Sequence, residues 1–161
     1  MIYSANDIRI SLLHPSDALQ LNKFLVSNAE RFIQYLPKTL ADNSTFEGTQ
    51  RYIKRKIKAA KKQSKFVYLI HDQHSSAIVG MIILKDLDWK SKKGEFAYCI
   101  DKQFKGKGLM AKAIQAIALY AFETLGLETL QIVSQQTNIS SINVAINSGF
   151  KWKKTLNFSL D

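Results

Sequence analysis

Residues 95–125 have the sequence EFAYCIDKQFKGKGLMAKAIQAIALYAFETL, and they are the most informative part of the chain. A β-rich run, Glu95–Ile100, leads through the loop 105–108 into a helix whose apolar residues recur at helical spacing. Glycines let a backbone approach an anion closely, and the free N–H groups of a helix N-terminus point toward such a ligand. Lys105 and Lys107 add positive charge there. The stretch therefore predicts a strand–loop–helix unit suited to a phosphate group.

The loop differs from two well-known glycine patterns that bind phosphates. Its sequence, KGKG, is neither GxGxxG nor GxxxxGK[ST], which disfavours a dinucleotide or a nucleoside triphosphate as the ligand. The alternative to an anion site is a surface turn that contains two lysines.

The segments on both sides of this unit predict a mixed α/β fold. The predicted strands cover residues 8–13, 66–70, 77–84, 95–100 and 129–134, and a last one begins near Phe150. The predicted helices begin at the N-cap Ser16, at the capping box of Ser44 and Glu47, after Gly108 and at the caps in residues 138–141, and Gly126 and Gly149 end the last two. The order β-α-α-β-β-β-α-β-α-β predicts a central sheet with helices around it.

The length and composition predict one globular domain over residues 1–161. An apolar share of 46% and the absence of repeats or Pro/Gly-rich linkers exclude a wholly disordered chain. The single cysteine, Cys99, excludes an internal disulfide and suits a reducing compartment. Because the sequence shows neither a membrane-spanning run nor a secretory leader, we expect a cytoplasmic protein without membrane attachment. The net charge of +10 favours polyanionic partners.

Three pieces of the sequence, taken in order, resemble the GNAT acyltransferase superfamily and, within it, the RimJ/RimL-type N-acetyltransferases. The run EFAYCI is similar to the family's fourth strand, and KGKGLM with its Ala-rich helix is similar to the acetyl-CoA loop. Asn138–Ser141, eight residues ahead of Gly149 and Phe150, is similar to the family's Asn-x-x-Ser…Gly-Phe signature. The resemblance implies a mixed α/β (α+β) fold, with a mostly antiparallel sheet flanked by about four helices.

The resemblance also implies an activity and the residues that perform it. It implies acetyl-CoA-dependent transfer of an acetyl group directly to a primary amine, either a protein N-terminal α-amine or a small molecule. Ser141 would donate a proton to the departing thiolate, and Glu95 would orient or deprotonate the amine, without a metal. The residues implied to bind the cofactor are Tyr98, Cys99, Ile100, Lys105, Gly106, Lys107, Gly108, Leu109, Met110 and Asn138.

The sequence departs from the family's pattern in four places. Lys105 stands where Arg or Gln is usual, and Met110 stands where Gly or Ala is usual, so its bulk either crowds the phosphates or points away. Ala145 falls where many members carry a tyrosine general acid. Eleven residues follow Phe150, too few for two further strands. This length predicts a sheet that ends early, a sheet completed by a partner in a homodimer, or a truncated chain.

Each candidate also has a purely structural interpretation. Asn138 and Ser141 are good helix caps, and Glu95 could pair with Lys92 or Lys93 at a strand edge.

The remaining reactive residue types are interpreted as structural. Cys99 fits a small apolar strand residue better than a nucleophile. His71, Asp72 and His74 are interpreted as a solvated hairpin turn rather than a metal site.

Residues 51–65 hold eight basic side chains and no acidic one. We interpret them as the solvated face of a helix that contributes electrostatic steering. Aromatic residues are sparse there, so nucleic acid is disfavoured, and an acidic acceptor protein suits the charge better than a polyamine. The alternative function is a catalytically inactive GNAT-fold module that docks on RNA or the ribosome.

Overall fold

The computed structural model describes residues 2–5, 7–135 and 137–151, and six strands in them form one sheet in the order β1-β2-β3-β4-β5-β6. Every neighbouring pair is antiparallel except β5 and β6, which are parallel, so the mostly antiparallel mixed sheet is confirmed. The strands are β1 Tyr3–Ser4, β2 Ile8–Leu12, β3 Phe66–Asp72, β4 Ile78–Asp88, β5 Lys93–Ile100 and β6 Thr129–Ile132.

Six α-helices surround this sheet in the described residues, against about four expected, because the segment before residue 46 forms two additional short helices. The helices are α1 Ala18–Ser27, α2 Ala29–Phe32, α3 Pro37–Asp42, α4 Phe46–Lys61, α5 Leu109–Glu123 and α6 Ile139–Asn147. Helix α5 is the crossover that parallel strands require, since it joins β5 to β6. The described residues end at Lys151, so the strand predicted to begin near Phe150 lies outside them.

Two predicted helix caps are wrong by one or two residues. Thr45, not Ser44, caps α4, because its hydroxyl accepts a hydrogen bond from the Gly48 N–H at 3.0 Å. A single 3-10 turn, Pro15–Asp17, precedes α1. The residue that caps this turn is His14, not Ser16. In both places several polar residues compete for the same role, and backbone geometry selects among them.

The sheet has a separate apolar core on each face. The first core includes Phe96 and packs against α5 through Met110, Ile114 and Ile117. The second core includes Cys99 and the buried residues of α1 and α4. Because side chains alternate along a strand, neighbouring residues of β5 serve opposite cores. In the described part of the chain, no helix is both long enough and apolar enough to cross a bilayer.

Candidate functional site

The last two strands of the sheet separate halfway along β5. Backbone pairing between β5 and β6 ends at Phe96 and Ile132 within the described residues. On its other side, β5 stays paired with β4 as far as Ile100. The second half of β5, residues 97–100, therefore has one backbone edge that opens on a gap between β5 and β6.

Strand register determines which backbone groups face this gap. The Asp101 N–H donates to the Val79 carbonyl of β4 at 2.8 Å. Since hydrogen-bonded and non-hydrogen-bonded pairs alternate in an antiparallel ladder, Cys99 also directs its backbone groups toward β4, whereas Tyr98 and Ile100 direct theirs into the gap. Of the three residues expected to hold the cofactor through their backbone, Tyr98 and Ile100 therefore face the gap, whereas Cys99 lacks an exposed backbone edge.

The glycine loop lies at the end of this open edge. Gly106 and Gly108 have φ values of +80° and +73°, a left-handed conformation that favours glycine. A Cβ built on either residue meets no atom within 4 Å, so open space lies beside the backbone. Gly108 is the N-cap of α5, and the N–H groups of the first helical residues, 109–111, have no partner within the helix. The loop thus combines free amides, open space and the lysines at 105 and 107.

Met110 points away from this loop. Its side chain is 2% exposed and belongs to the core between the sheet and α5. A Cβ added to Gly80 would lie 3.2 Å from the Met110 Cε, so the glycine in β4 makes room for the methionine. The larger residue is therefore accommodated in the core and does not crowd the open side of the loop.

Tyr98 and Ser141 connect β5 to α6 across the sheet edge. The Ser141 hydroxyl donates to the Tyr98 phenol oxygen at 3.2 Å, and the phenol donates to the Ser141 carbonyl at 2.6 Å. Burial raises the pKa of the Tyr98 phenol, and its hydrogen bond with Ser141 opposes that rise. The sequence predicts a role for the Tyr98 backbone alone, because nothing local indicates that its side chain reaches a helix 43 residues away.

Asn138 caps α6, as its structural interpretation predicted. Its Oδ1 accepts a hydrogen bond from the Ser141 N–H at 3.2 Å. The oxygen is thereby occupied, whereas the Nδ2 amide has no hydrogen bond to any residue that the structure describes. Asn138 therefore holds Ser141 in place and keeps its own amide donors available.

Glu95 lies between two cross-strand neighbours. Its carboxylate is 3.5 Å from the Lys85 Nζ of β4 and accepts a hydrogen bond from the Gln131 Nε2 of β6 at 3.0 Å. Both partners lie directly opposite Glu95 in the strand register. The expected pairing with Lys92 or Lys93 is wrong, because the local sequence does not show which residue of β4 stands opposite.

Glu95 and Ser141 lie on opposite faces of the sheet. Glu95 shares a face with Ala97 and Cys99, whereas Ser141 contacts Tyr98 on the face of α5. The gap that opens beyond Phe96 connects the two faces. A reacting carbonyl in this gap could therefore receive a nucleophile from one side and a proton from the other.

A buried polar cluster, which the sequence analysis missed, fixes the end of β5. Asn28 is 4% exposed, and its Nδ2 donates to the Phe24 carbonyl at 2.8 Å and to the Asp101 carboxylate at 3.0 Å. The Arg31 guanidinium donates to the Asn28 Oδ1 at 2.9 Å and to the Ile100 carbonyl at 3.1 Å. These contacts connect the junction of α1 and α2 to Ile100 and Asp101, where β5 ends. They span about 70 residues of sequence, which explains why no local pattern predicts them.

Cys99 and His71 are both buried. Burial raises the pKa of the Cys99 thiol to about 12, so the thiol is protonated and unreactive at neutral pH. His71 is 5% exposed, with its Nε2 3.7 Å from the Asp17 carboxylate, so its interpretation as a solvated turn residue is wrong. No group of three or more potential metal-ligating side chains converges in the part of the chain that the structure describes.

The comparison with protein families identifies the family of this chain. A family model described as an acetyltransferase (GNAT) domain matches residues 7–151. The chain belongs to the GNAT acetyltransferase family. The resemblance found in the sequence is thereby confirmed, and acetyl transfer to an amine is the activity of this enzyme family.

Similar proteins agree with the RimJ/RimL-type resemblance of this GNAT chain. The Bacillus subtilis protein named "Putative ribosomal N-acetyltransferase YdaF" is 32% identical over 146 residues, which cover 89% of this chain and 77% of that protein. The structure of a ribosomal-protein-S5-alanine acetyltransferase from Vibrio fischeri has a TM-score of 0.84 at 20% identity, with 91% of this chain and 81% of that chain covered. The structure of RimL, a ribosomal L7/L12 α-N-protein acetyltransferase in complex with coenzyme A, has a TM-score of 0.86 at 19% identity, covering 95% and 85%. These two structural similarities show that the fold is shared.

A cavity of about 460 Å³ lies on another side of this GNAT domain. It is bordered by α1, by Ala77 and Ile78 and by Asp101. Neither Glu95 nor Ser141 lines it. The cavity therefore does not include the two candidate proton-transfer residues.

Proposed function

We propose that this GNAT enzyme uses acetyl-CoA as its donor and transfers the acetyl group directly to a primary amine in the gap between β5 and β6. We further propose that residues 1–161 form one acetyltransferase domain that works in the cytoplasm. The proposal rests on one observation: the open edge of β5 is followed, after Asp101 and the 3-10 turn Lys102–Phe104, by the left-handed glycine loop at the start of α5. A backbone edge of this kind suits the amide-containing pantetheine arm, and free helix amides suit the pyrophosphate.

The residues of the loop fit the cofactor. Open space beside Gly106 and Gly108 leaves room for phosphates, and Lys105 and Lys107 supply compensating charge. The backbone of Tyr98 and the N–H of Ile100 would bind the pantetheine arm, since the Ile100 carbonyl already accepts a hydrogen bond from Arg31, and the Asn138 amide would bind its end. The amides of residues 105–110 would hold the pyrophosphate, with the Met110 side chain turned into the core.

The chain's own side chains would manage the protons. Acetyl-CoA, when bound, supplies an activated acetyl thioester. Glu95, held by Lys85 and Gln131, would orient the amine and accept its proton directly or through water. Ser141 would donate a proton to the departing thiolate, and Tyr98 would position its hydroxyl. Because Glu95 and Ser141 lie on opposite faces of the sheet, the two proton transfers would take place on opposite sides of the gap.

For the acceptor we propose a protein N-terminal α-amine. The relative at 32% identity carries a ribosomal N-acetyltransferase name, which supports this class. A spermidine N(1)-acetyltransferase from Escherichia coli matches at 27% identity over half of this chain, so a small amine is the competing acceptor. A polyamine needs carboxylates around it, and a chain with a net charge of +10 repels a polycation.

Calorimetric titration with acetyl-CoA tests the cofactor assignment, with desulfo-CoA and ATP as comparison ligands. We expect micromolar binding of both CoA compounds and much weaker binding of ATP. Gly108→Val should abolish acetyl-CoA binding, because a β-branched residue resists the left-handed conformation and fills the loop's open side. Gly126→Val is the matched control, since Gly126 has a φ of +77° and equally open surroundings away from the loop. Equal binding by the Gly108 and Gly126 variants would contradict the assignment.

A thiol-release assay tests the acceptor. Short peptides with free α-amines and acidic following residues are compared with the same peptides carrying a blocked α-amine and with spermidine. We expect turnover only for the peptides with a free α-amine. Faster turnover of spermidine would contradict the proposed acceptor and leave the acetyl-CoA site intact.

A further inference from the structure

Helix α4 carries a lysine on the face that packs against the sheet. The buried side chains of this helix include Thr49, Tyr52 and Ile53, and Ala60 continues the same stripe. Lys56 lies seven residues after Thr49 and four before Ala60, which places it in the middle of that stripe. It is half-buried, with its Nζ 5.1 Å from the centre of the Tyr52 ring. Lysine is mostly exposed in folded proteins and is almost never fully buried without a partner.

A cavity of about 190 Å³ adjoins this lysine between α4 and strands β2 and β3. Its walls are almost entirely apolar. The lining residues are Leu12, Leu13, Lys56, Ile57, Ala60, Lys61 and Val67. The cavity thus offers apolar space within reach of an amine.

The charged groups around Lys56 are mostly positive. Lys65 and Arg55 both lie close enough to Lys56 to repel its ammonium, and Lys65 has the larger effect. Asp42 provides some attraction, but its carboxylate pairs with Arg55 at 3.3 Å. Among the described residues, Lys56 itself forms no salt bridge. Burial, followed by repulsion from Lys65, lowers its pKa to about 8.

We propose that Lys56 is a self-acylation site, which takes a short acyl group from an acyl thioester and places it in the adjoining cavity. The unprotonated Nζ attacks the thioester carbonyl carbon, an N–C bond forms and the C–S bond breaks. The sulfur leaves with its electron pair as a thiolate, and the proton lost by the nitrogen ends on the sulfur through water. The products are an N-acyl-lysine and a free thiol, so atoms and charges balance.

Acylation would remove the two features that make Lys56 unfavourable. An amide carries no charge, so the burial cost of the ammonium and its repulsion with Lys65 both disappear. The methyl end of an acetyl group would contact the apolar cavity walls. Lys54 and Lys58 on the same helix are exposed and gain nothing comparable. The site lies apart from the gap between β5 and β6, so this proposal does not depend on the proposed function.

The test uses the full chain and S-acetyl-N-acetylcysteamine, an acetyl thioester without a nucleotide. Peptide mass spectrometry gives the initial acetylation rates of Lys56 and Lys54, with Nα-acetyl-lysine in the same solution as a reference amine. At pH 7.5 we expect Lys56 to react roughly tenfold faster than the reference, whose amine has a pKa of about 10.4. The rate at Lys56 should level off above about pH 8 and should not depend on protein concentration.

Two variants of Lys65 distinguish this proposal from simple exposure. Lys65→Gln removes the neighbouring charge and should slow acetylation of Lys56 several-fold, whereas Lys65→Arg should keep most of the rate. Circular dichroism is the control that checks whether both variants are folded. The proposal is overturned if Lys56 reacts no faster than the reference amine, or if Lys65→Gln leaves its rate unchanged.

Discussion

The two halves of β5 differ in what surrounds them. The first half, Lys93–Phe96, is paired with β4 on one side and β6 on the other, and Phe96 lies in the core at 1% exposure. The second half, residues 97–100, keeps only the pairing with β4. The first half is therefore held on both sides, and the second half leaves backbone groups without a strand partner on one side. One strand of eight residues thus joins a fully paired segment to a segment with one open edge.

The largest effect should come from the paired half. Phe96→Ala removes a fully buried ring and should lower the free energy of unfolding by about 3–5 kcal/mol. Urea denaturation followed by circular dichroism measures this change. A loss below about 0.5 kcal/mol, the scale of an ordinary surface substitution, would show that the core does not depend on the paired half.

Substitution of Glu95 tests whether a reacting group lies at the boundary between the two halves of β5. Glu95→Gln keeps the hydrogen bond from Gln131 in reach but removes the proton acceptor, so turnover should fall by about 100-fold or more. Steady-state kinetics should show the loss in kcat, and acetyl-CoA affinity should stay within about twofold. Gln131→Ala is the control, because it removes a positioning contact only and should reduce kcat less. Equal kcat values for wild type and Glu95→Gln would exclude Glu95 as a proton acceptor.

Ser141 and Tyr98 test the open half. Each single variant, Ser141→Ala or Tyr98→Phe, should lower kcat by about tenfold, because each removes part of one hydrogen-bonded pair. The double variant should be little worse than either single variant, since groups that act together are not additive. Fully multiplicative losses in the double-mutant cycle would show that the two hydroxyls act independently.

The smallest effect is expected at Cys99. The reactivity of its thiol measures how well the side chains of residues 97–100 are buried. Its thiol pKa, raised to about 12, lies above the ordinary value of 9.0, so the native state favours the protonated thiol. The stability that this group contributes is therefore present below about pH 9 and is lost as the pH rises toward 12. Alkylation by iodoacetamide at pH 8 should be at least about 100-fold slower in the native protein than in urea. Comparable rates would mean that the second half of β5 opens freely to solvent.

The sequence predicted the strand–loop–helix unit better than it predicted the contacts around that unit. The glycine loop, its helix and the strand before it were identifiable because their signals are local: two glycines, a β-rich run and a helical apolar period. The partners of Glu95 were not, because strand register places Lys85 and Gln131 beside it. His71 was assigned to a turn for the same reason, since its buried contact with Asp17 is 54 residues away in sequence.

The order of the main strands and helices, the position of the glycine loop and the family resemblance could all be predicted from the sequence, because each depends on residues close together in the chain. The structure was needed to show where β5 and β6 separate, which face each side chain of β5 occupies and that Met110 turns into the core. It also decided that Lys56 faces a cavity beside Lys65. The physical reason is that register, burial and charge proximity are set by packing between distant segments, and a local pattern contains no information about that packing.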